Sequence, residues 1–109
     1  MGDVTGDRAA EILLDTRIDP AGVPIVSVSG ELDSSNAGAL QATIAPIAAE
    51  HPERLVFDLS GLRFMDSAGI AVLVGVAAQV KAVQLRQPSQ VVRRVIELTG
   101  LTGVLPIEP

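Results

Sequence analysis

The chain has 109 residues, 48% of them apolar and 19% charged, and 13 acidic against 8 basic side chains leave a formal net charge of −5 near neutral pH. That is enough aliphatic material for one compact core and too little charge for a disordered chain. Aromatic residues are 2%, Cys is absent and His51 is the sole histidine, so a disulfide scaffold, a thiolate zinc site, a Cys nucleophile and a multi-histidine metal site are excluded. Nucleic-acid binding is disfavoured as well, because it needs a cationic face and, for single strands, stacking aromatics.

The first residues, Met1 to Asp7, are polar and acidic, unlike a signal peptide. The longest apolar-plus-glycine run, Ala68 to Ala78, covers 11 residues, whereas a bilayer core needs about 20. The expectation is a cytoplasmic protein without a membrane segment, with a flexible leader over residues 1–9 and one domain over 10–109.

From Glu11 to Ile18 apolar and polar residues alternate, with Ile12, Leu14, Thr16 and Ile18 on one face of a strand. Asp19-Pro20-Ala21-Gly22 has the residues of a type I turn, and Ile25 to Gly30 returns as the second strand of a hairpin, Val26 and Val28 inward. Asp33-Ser34-Ser35-Asn36 is a cluster of helix-capping residues ahead of Leu40, Ile44 and Ile47 at helical spacing. Pro46 inside that helix predicts a kink or short break, and His51-Pro52 its end.

Arg54 to Leu59 reads as a buried strand and Ser60 to Met65 as a loop. Asp66-Ser67 caps the run Ala68 to Ala78, which is too long for a strand and is read as a helix buried on most sides. Lys81 to Arg86 is a short strand. Pro88-Ser89 opens a last helix with Val91, Val95 and Leu98 on its buried face and Gly100 as its C-terminal cap. Val104 to Ile107 adds an edge strand, where Pro106 is tolerated. The resulting order is β-β-α-β-α-β-α-β: an α/β domain with a mixed, mostly parallel sheet of four to five strands and about three helices.

Enzymatic signatures are missing. The sequence has no Gly-x-Ser-x-Gly elbow, no phosphate-binding loop and no dinucleotide fingerprint, and His51 sits at a solvated helix end rather than beside a nucleophile. No cofactor or metal is expected. Two polar clusters remain, Gly30-Glu31-Leu32-Asp33-Ser34-Ser35 and Phe64-Met65-Asp66-Ser67-Ala68-Gly69, both at strand-to-helix junctions. Each reads as an N-cap. Capping does not explain why bulky Phe64 and Met65 precede the second, although a hydrophobic staple accounts for part of it.

These same residues carry a resemblance. Gly30-Glu31-Leu32-Asp33, then Phe57-Asp58-Leu59-Ser60-Gly61-Leu62 running into Met65-Asp66-Ser67-Ala68-Gly69-Ile70, then Pro88-Ser89 with Arg93 to Leu101, resemble the STAS domain of bacterial anti-sigma factor antagonists over roughly residues 10–107. Each motif alone is weak; the ordered set is fairly specific.

The resemblance implies a partner-switching protein that is not an enzyme. The unmodified antagonist binds an anti-sigma factor, a serine kinase related to the histidine-kinase ATPases, and so frees a sigma factor. Phosphorylation of the serine after the Asp abolishes binding, and a phosphatase restores it. By position the phosphoacceptor is Ser67, and the partner-binding residues are Asp33, Ser34, Met65, Asp66, Ser67, Ala68 and Ile70. A phosphate there adds about −1.5 to −2 charge. At a helix N-terminus with free amides the fold should tolerate it, while a contact packed on Met65, Ala68 and Ile70 should not.

Two other readings stay open: a STAS subunit acting as a permanent scaffold in a lipid-transport ABC assembly, and, more remotely, a serine hydrolase using Ser67. Three departures from the family pattern are visible. The connection at residues 78–82 is about one helical turn short and lacks glycine, Ala68 replaces a hydroxyl residue, and the sequence ends at Pro109 where the family commonly adds a helix. The last of these leaves aliphatic surface for a weak homodimer or a larger partner footprint.

Overall fold

The computed structural model describes residues 11–109. The expected leader and the first residue of the expected domain range fall outside the described residues. Strands β1 (Ile12–Ile18) and β2 (Pro24–Leu32) pair antiparallel from Ile12 with Gly30 to Ile18 with Pro24. Asp19 closes the hairpin as expected: its carbonyl accepts from the Gly22 amide at 2.9 Å, and its Oδ1 accepts from the amides of Ala21 and Val23 at 2.8 and 2.9 Å.

Helix α1 (Ala37–Ala49) follows, then β3 (Leu55–Asp58) and β4 (Leu62–Met65), helix α2 (Ser67–Ala77), β5 (Val83–Arg86) and helix α3 (Gln90–Leu98). β3 is parallel to both β2 and β5, giving the order β1-β2-β3-β5. β4 also runs parallel to β2, through Gly30 with Leu62, Glu31 with Phe64 and Leu32 with Met65. The Gly30 amide donates to Gly61 O at 2.9 Å while the Glu31 amide donates to Glu11 O at 3.0 Å, on the opposite edge. β3 and β4 thus share one edge of β2, and the expected loop at Ser60–Met65 is a short excursion followed by a strand. Its four residues do not alternate, because the register slips at Arg63, and so periodicity hides it.

All three helices contribute to one core with the inward residues of the sheet. Val26, Val28, Phe57 and Leu85 meet Leu40 and Ile44 of α1, Ile70 and Leu73 of α2 and Val92 and Ile96 of α3, and all ten are buried. Ile12 and Leu14 close its edge, half-buried. The other sheet face mixes polar pairs with the buried side chains of Ile25 and Val56: Arg17 donates to Ser27 Oγ at 3.3 Å, and Arg86 pairs with Glu108 at 3.0 Å.

Several local expectations are corrected. α1 runs unbroken through Pro46, since the carbonyl deprived of its partner lies on an exposed side where water can reach it. On α3 the buried residues are Val92 and Ile96, whereas Val91 and Leu98 are exposed; both stripes satisfy helical spacing, and packing on β4 selects one. The expected edge strand at Val104–Ile107 is a single bridge from Ile107 to Leu85, with Leu85 N donating to Pro106 O at 2.9 Å. Connection 78–82 turns without glycine by burying Val80 and donating the Leu55 amide to Ala82 O at 2.9 Å. Gly100 caps α3 as expected, with φ +74° and its amide on Glu97 O.

Candidate functional site

Parallel strands send their C-terminal ends the same way, so the junctions after β2 and β4 emerge side by side. The Leu32 and Met65 pair is the last rung, and beyond it the Asp66 amide donates to Leu32 O at 3.1 Å. Asp33 and Asp66 therefore start adjacent loops about 5 Å apart at the backbone. The two polar clusters singled out in the sequence form one surface.

Asp66 caps α2 as expected. Its Oδ1 accepts from the amides of Ala68 at 2.9 Å and Gly69 at 3.3 Å, and its carbonyl accepts from the Ile70 amide at 3.1 Å. Ser67 is the first helical residue and is exposed, and its hydroxyl has no hydrogen-bond partner among the described residues. Its surroundings differ from expectation in one respect: Asp66 already holds two first-turn amides, so a phosphate on Ser67 does not find them free. It would stand in solvent beside the Asp66 carboxylate.

Asp33 is held otherwise. Its Oδ1 accepts from the Ser35 amide at 2.8 Å and the Ser35 hydroxyl at 2.5 Å, and its amide donates to Asn36 Oδ1 at 3.0 Å. Asn36 Nδ2 donates back to Glu31 O at 2.8 Å, bracing the junction. The hydroxyl and then the amide of Ser35 hold the Asp33 carboxyl below its ordinary value, so it is a fixed negative charge at neutral pH. Neither Asp33 nor Ser34 caps α1 directly; they form a turn that precedes its start at Ala37.

The apolar members of the predicted site need correction. Met65 is fully buried and Ile70 is 7% exposed, both within the core, so a partner meeting the chain as it stands touches neither side chain. They occupy the staple positions flanking the cap and hold α2 against the strand ends. Ala68 is half-buried, and Asp66 and Asp33 are partly exposed. Phe64, which sequence reasoning noticed but left out of the contact set, is the exposed apolar residue here at 44%; its register position opposite Glu31 turns it away from the core.

Gly69 fixes the seat of the helix. A Cβ there would lie 2.7 Å from Leu32 Cδ2 and 2.7 Å from Met65 Cγ, so only glycine lets the first turn of α2 approach the two strand ends this closely. Beside Ser67, α1 and α2 enclose a shallow groove of about 370 Å³ lined by small side chains that include Gly38, Ala45, Ala68, Ala71 and Gly75. His51 follows the far end of α1, roughly 20 Å along the helix axis from the Asp33 junction, and offers Ser67 no base. Among the described residues no helix is long and apolar enough to cross a membrane.

Comparison with known proteins gives this surface its context. The family model described as "Mlab, STAS domain" matches residues 14–106. The anti-sigma-F factor antagonist RsfB of Mycobacterium tuberculosis is 35% identical over 89 residues, covering 79% of this chain and 73% of that protein. The anti-sigma-B factor antagonist of Bacillus subtilis is 30% identical, covering 75% and 78%. The crystal structure of an anti-sigma factor antagonist from Mycobacterium paratuberculosis superposes with a TM-score of 0.79 at 32% identity, over 97% of this chain and 91% of that one. The chain belongs to the STAS-domain family of anti-sigma factor antagonists.

Proposed function

We propose that this protein is an anti-sigma factor antagonist switched at Ser67: unmodified, it binds an anti-sigma factor that is also an ATP-dependent serine kinase and so frees a sigma factor. Phosphorylation of Ser67 ends that binding, and a phosphatase resets it. The observation that carries this reading is the Ser67 hydroxyl, exposed and without a hydrogen-bond partner at the first position of a helix whose cap and seat are rigidly held.

The groups available to a partner at this surface are Asp33, Ser34, Phe64, Asp66, Ser67 and Ala68. A phosphate adds about −1.5 to −2 charge to a surface that already holds two carboxylates, one of them spoken for by the amides that would otherwise offset the new anion. Losing even about 3 kcal/mol of binding weakens the complex more than a hundredfold, so a switch needs no refolding.

The test combines the chain with its cognate anti-sigma kinase and Mg-ATP and follows intact mass and complex formation. A phosphate should be added at Ser67, Ser67→Ala should lack label at that position and should bind the kinase before ATP is supplied, and the chain phosphorylated at Ser67 should lose the complex. Binding indifferent to Ser67 modification, with stable co-purification of a transporter ATPase, would favour the scaffold reading instead.

A further inference from the structure

One dipeptide occurs at both strand ends that face this surface: Leu32-Asp33-Ser34 after β2 and Met65-Asp66-Ser67 after β4. The sheet places the two in register. Leu32 pairs with Met65, and the Asp66 amide donates to Leu32 O at 3.1 Å, so both Asp-Ser steps leave neighbouring parallel strands in the same direction. Each Asp is tied the same way, its Oδ1 accepting from the amide two residues on: Ser35 N at 2.8 Å and Ala68 N at 2.9 Å. The serine in between is carried on the outside of the turn. Ser34, like Ser67, is exposed, and its hydroxyl has no hydrogen-bond partner among the described residues. Ser35 differs, since its hydroxyl is bound to Asp33 at 2.5 Å.

We propose that Ser34 is a second phosphoacceptor on the same surface, so that the switch has two positions. This rests on the reading of Ser67 as the phosphoacceptor of a serine kinase docked here. In the transfer, Ser34 Oγ attacks the γ-phosphorus of Mg-ATP held by that kinase. The Oγ–P bond forms, the bond from that phosphorus to the ADP oxygen breaks, and the hydroxyl proton passes to a base on the kinase. Hydrolysis by a phosphatase consumes one water and returns Ser34 and inorganic phosphate.

The electrostatic result matches that at Ser67, a dianion beside Asp33 and Asp66. The two positions differ in how the fold answers the charge. Ser67 begins an 11-residue helix and gains from its dipole, whereas Ser34 lies in the turn before α1 starts at Ala37 and gains less. Two phosphates on adjacent strand ends repel each other, so singly modified chains should dominate.

The test replaces the chain in the organism that encodes it by wild type, Ser34→Ala, Ser67→Ala and the double variant, then isolates each from growing and resting cells for intact mass and fragment mapping. Equal melting temperatures verify that all four fold. Expected are wild type with phosphate divided between Ser34 and Ser67, Ser67→Ala with one phosphate on Ser34, Ser34→Ala with one on Ser67, and none on the double variant. Phosphate confined to Ser67 and lost in Ser67→Ala overturns the second acceptor while leaving the Ser67 reading intact. Phosphate on Ser67→Ala at any other residue and not at Ser34 also overturns it. A wild type without phosphate in either growth state overturns both.

Discussion

Replacing Gly69 and Gly75 by Ala, one at a time, puts the same methyl group on the same helix with opposite expected outcomes. At Gly69 the new Cβ meets Leu32 and Met65 at 2.7 Å, and these side chains are 1% and 0% exposed, so neither can swing aside into solvent. Overpacking of this kind costs about 1–3 kcal/mol. The gain in helix propensity returns about 1 kcal/mol, for a net loss of up to about 2 kcal/mol. In a domain of this size a loss of about 2 kcal/mol lowers the melting temperature by roughly 8–16 °C, which is the upper limit for Gly69→Ala. At Gly75 a Cβ meets nothing within 4 Å and the residue lies in the helix interior, so the propensity gain stands alone and Tm should rise by about 4–8 °C. Thermal unfolding followed by far-UV circular dichroism measures both. If Gly69→Ala is as stable as Gly75→Ala, the first turn of α2 is not seated by that close approach. Because the shift forced at Gly69 displaces Ser67 from the Asp33 junction, Gly69→Ala should also be phosphorylated more slowly than Gly75→Ala.

Asp66→Ala removes the side chain that holds the amides of Ala68 and Gly69, and should cost about 1 kcal/mol in urea unfolding. Asp66→Asn keeps an acceptor and should cost a few tenths, and equal midpoints for the Ala variant and wild type would deny the cap any weight. Asp58 should show its role in acid. Burial raises its carboxyl, but the amide and hydroxyl of Ser60 and the charges of Arg17 and Arg86 outweigh that and leave it below its ordinary value. A depressed carboxylate adds stability that is present above its unfolded pKa, about 3.9, and lost as pH falls through the folded value. Asp58→Asn should therefore lie below wild type in Tm near pH 7 and converge on it near pH 2. A gap that stays constant over that range would assign the loss to packing.

The parts of the fold legible in the sequence are those with a local chemical cause. Asp19 to Gly22 spell their turn, Asp66 and Ser89 accept from first-turn amides as capping residues do, and Gly100 takes the left-handed conformation that ends α3. The alternation of Val26 and Val28 with Ser27 and Ser29 is enough to orient β2. Legibility fails where a residue's environment is set by a distant segment. Leu62-Arg63-Phe64-Met65 has no period of two because the slip at Arg63 is imposed by pairing with β2, and α3 offers two apolar stripes of equal spacing.

At the candidate site the chain itself determines the chemistry on offer: two Asp-Ser steps, no thiol, one distant histidine and a surplus of negative charge. Those follow from residue identity, and no folding event can add to them. Only the tertiary structure decided that the two steps form one surface, through the rung between Leu32 and Met65 thirty-three positions apart. It decided as well that Met65 supports the surface from within while Phe64 faces outward, a choice between adjacent apolar residues that hydrophobicity leaves equal and strand direction settles.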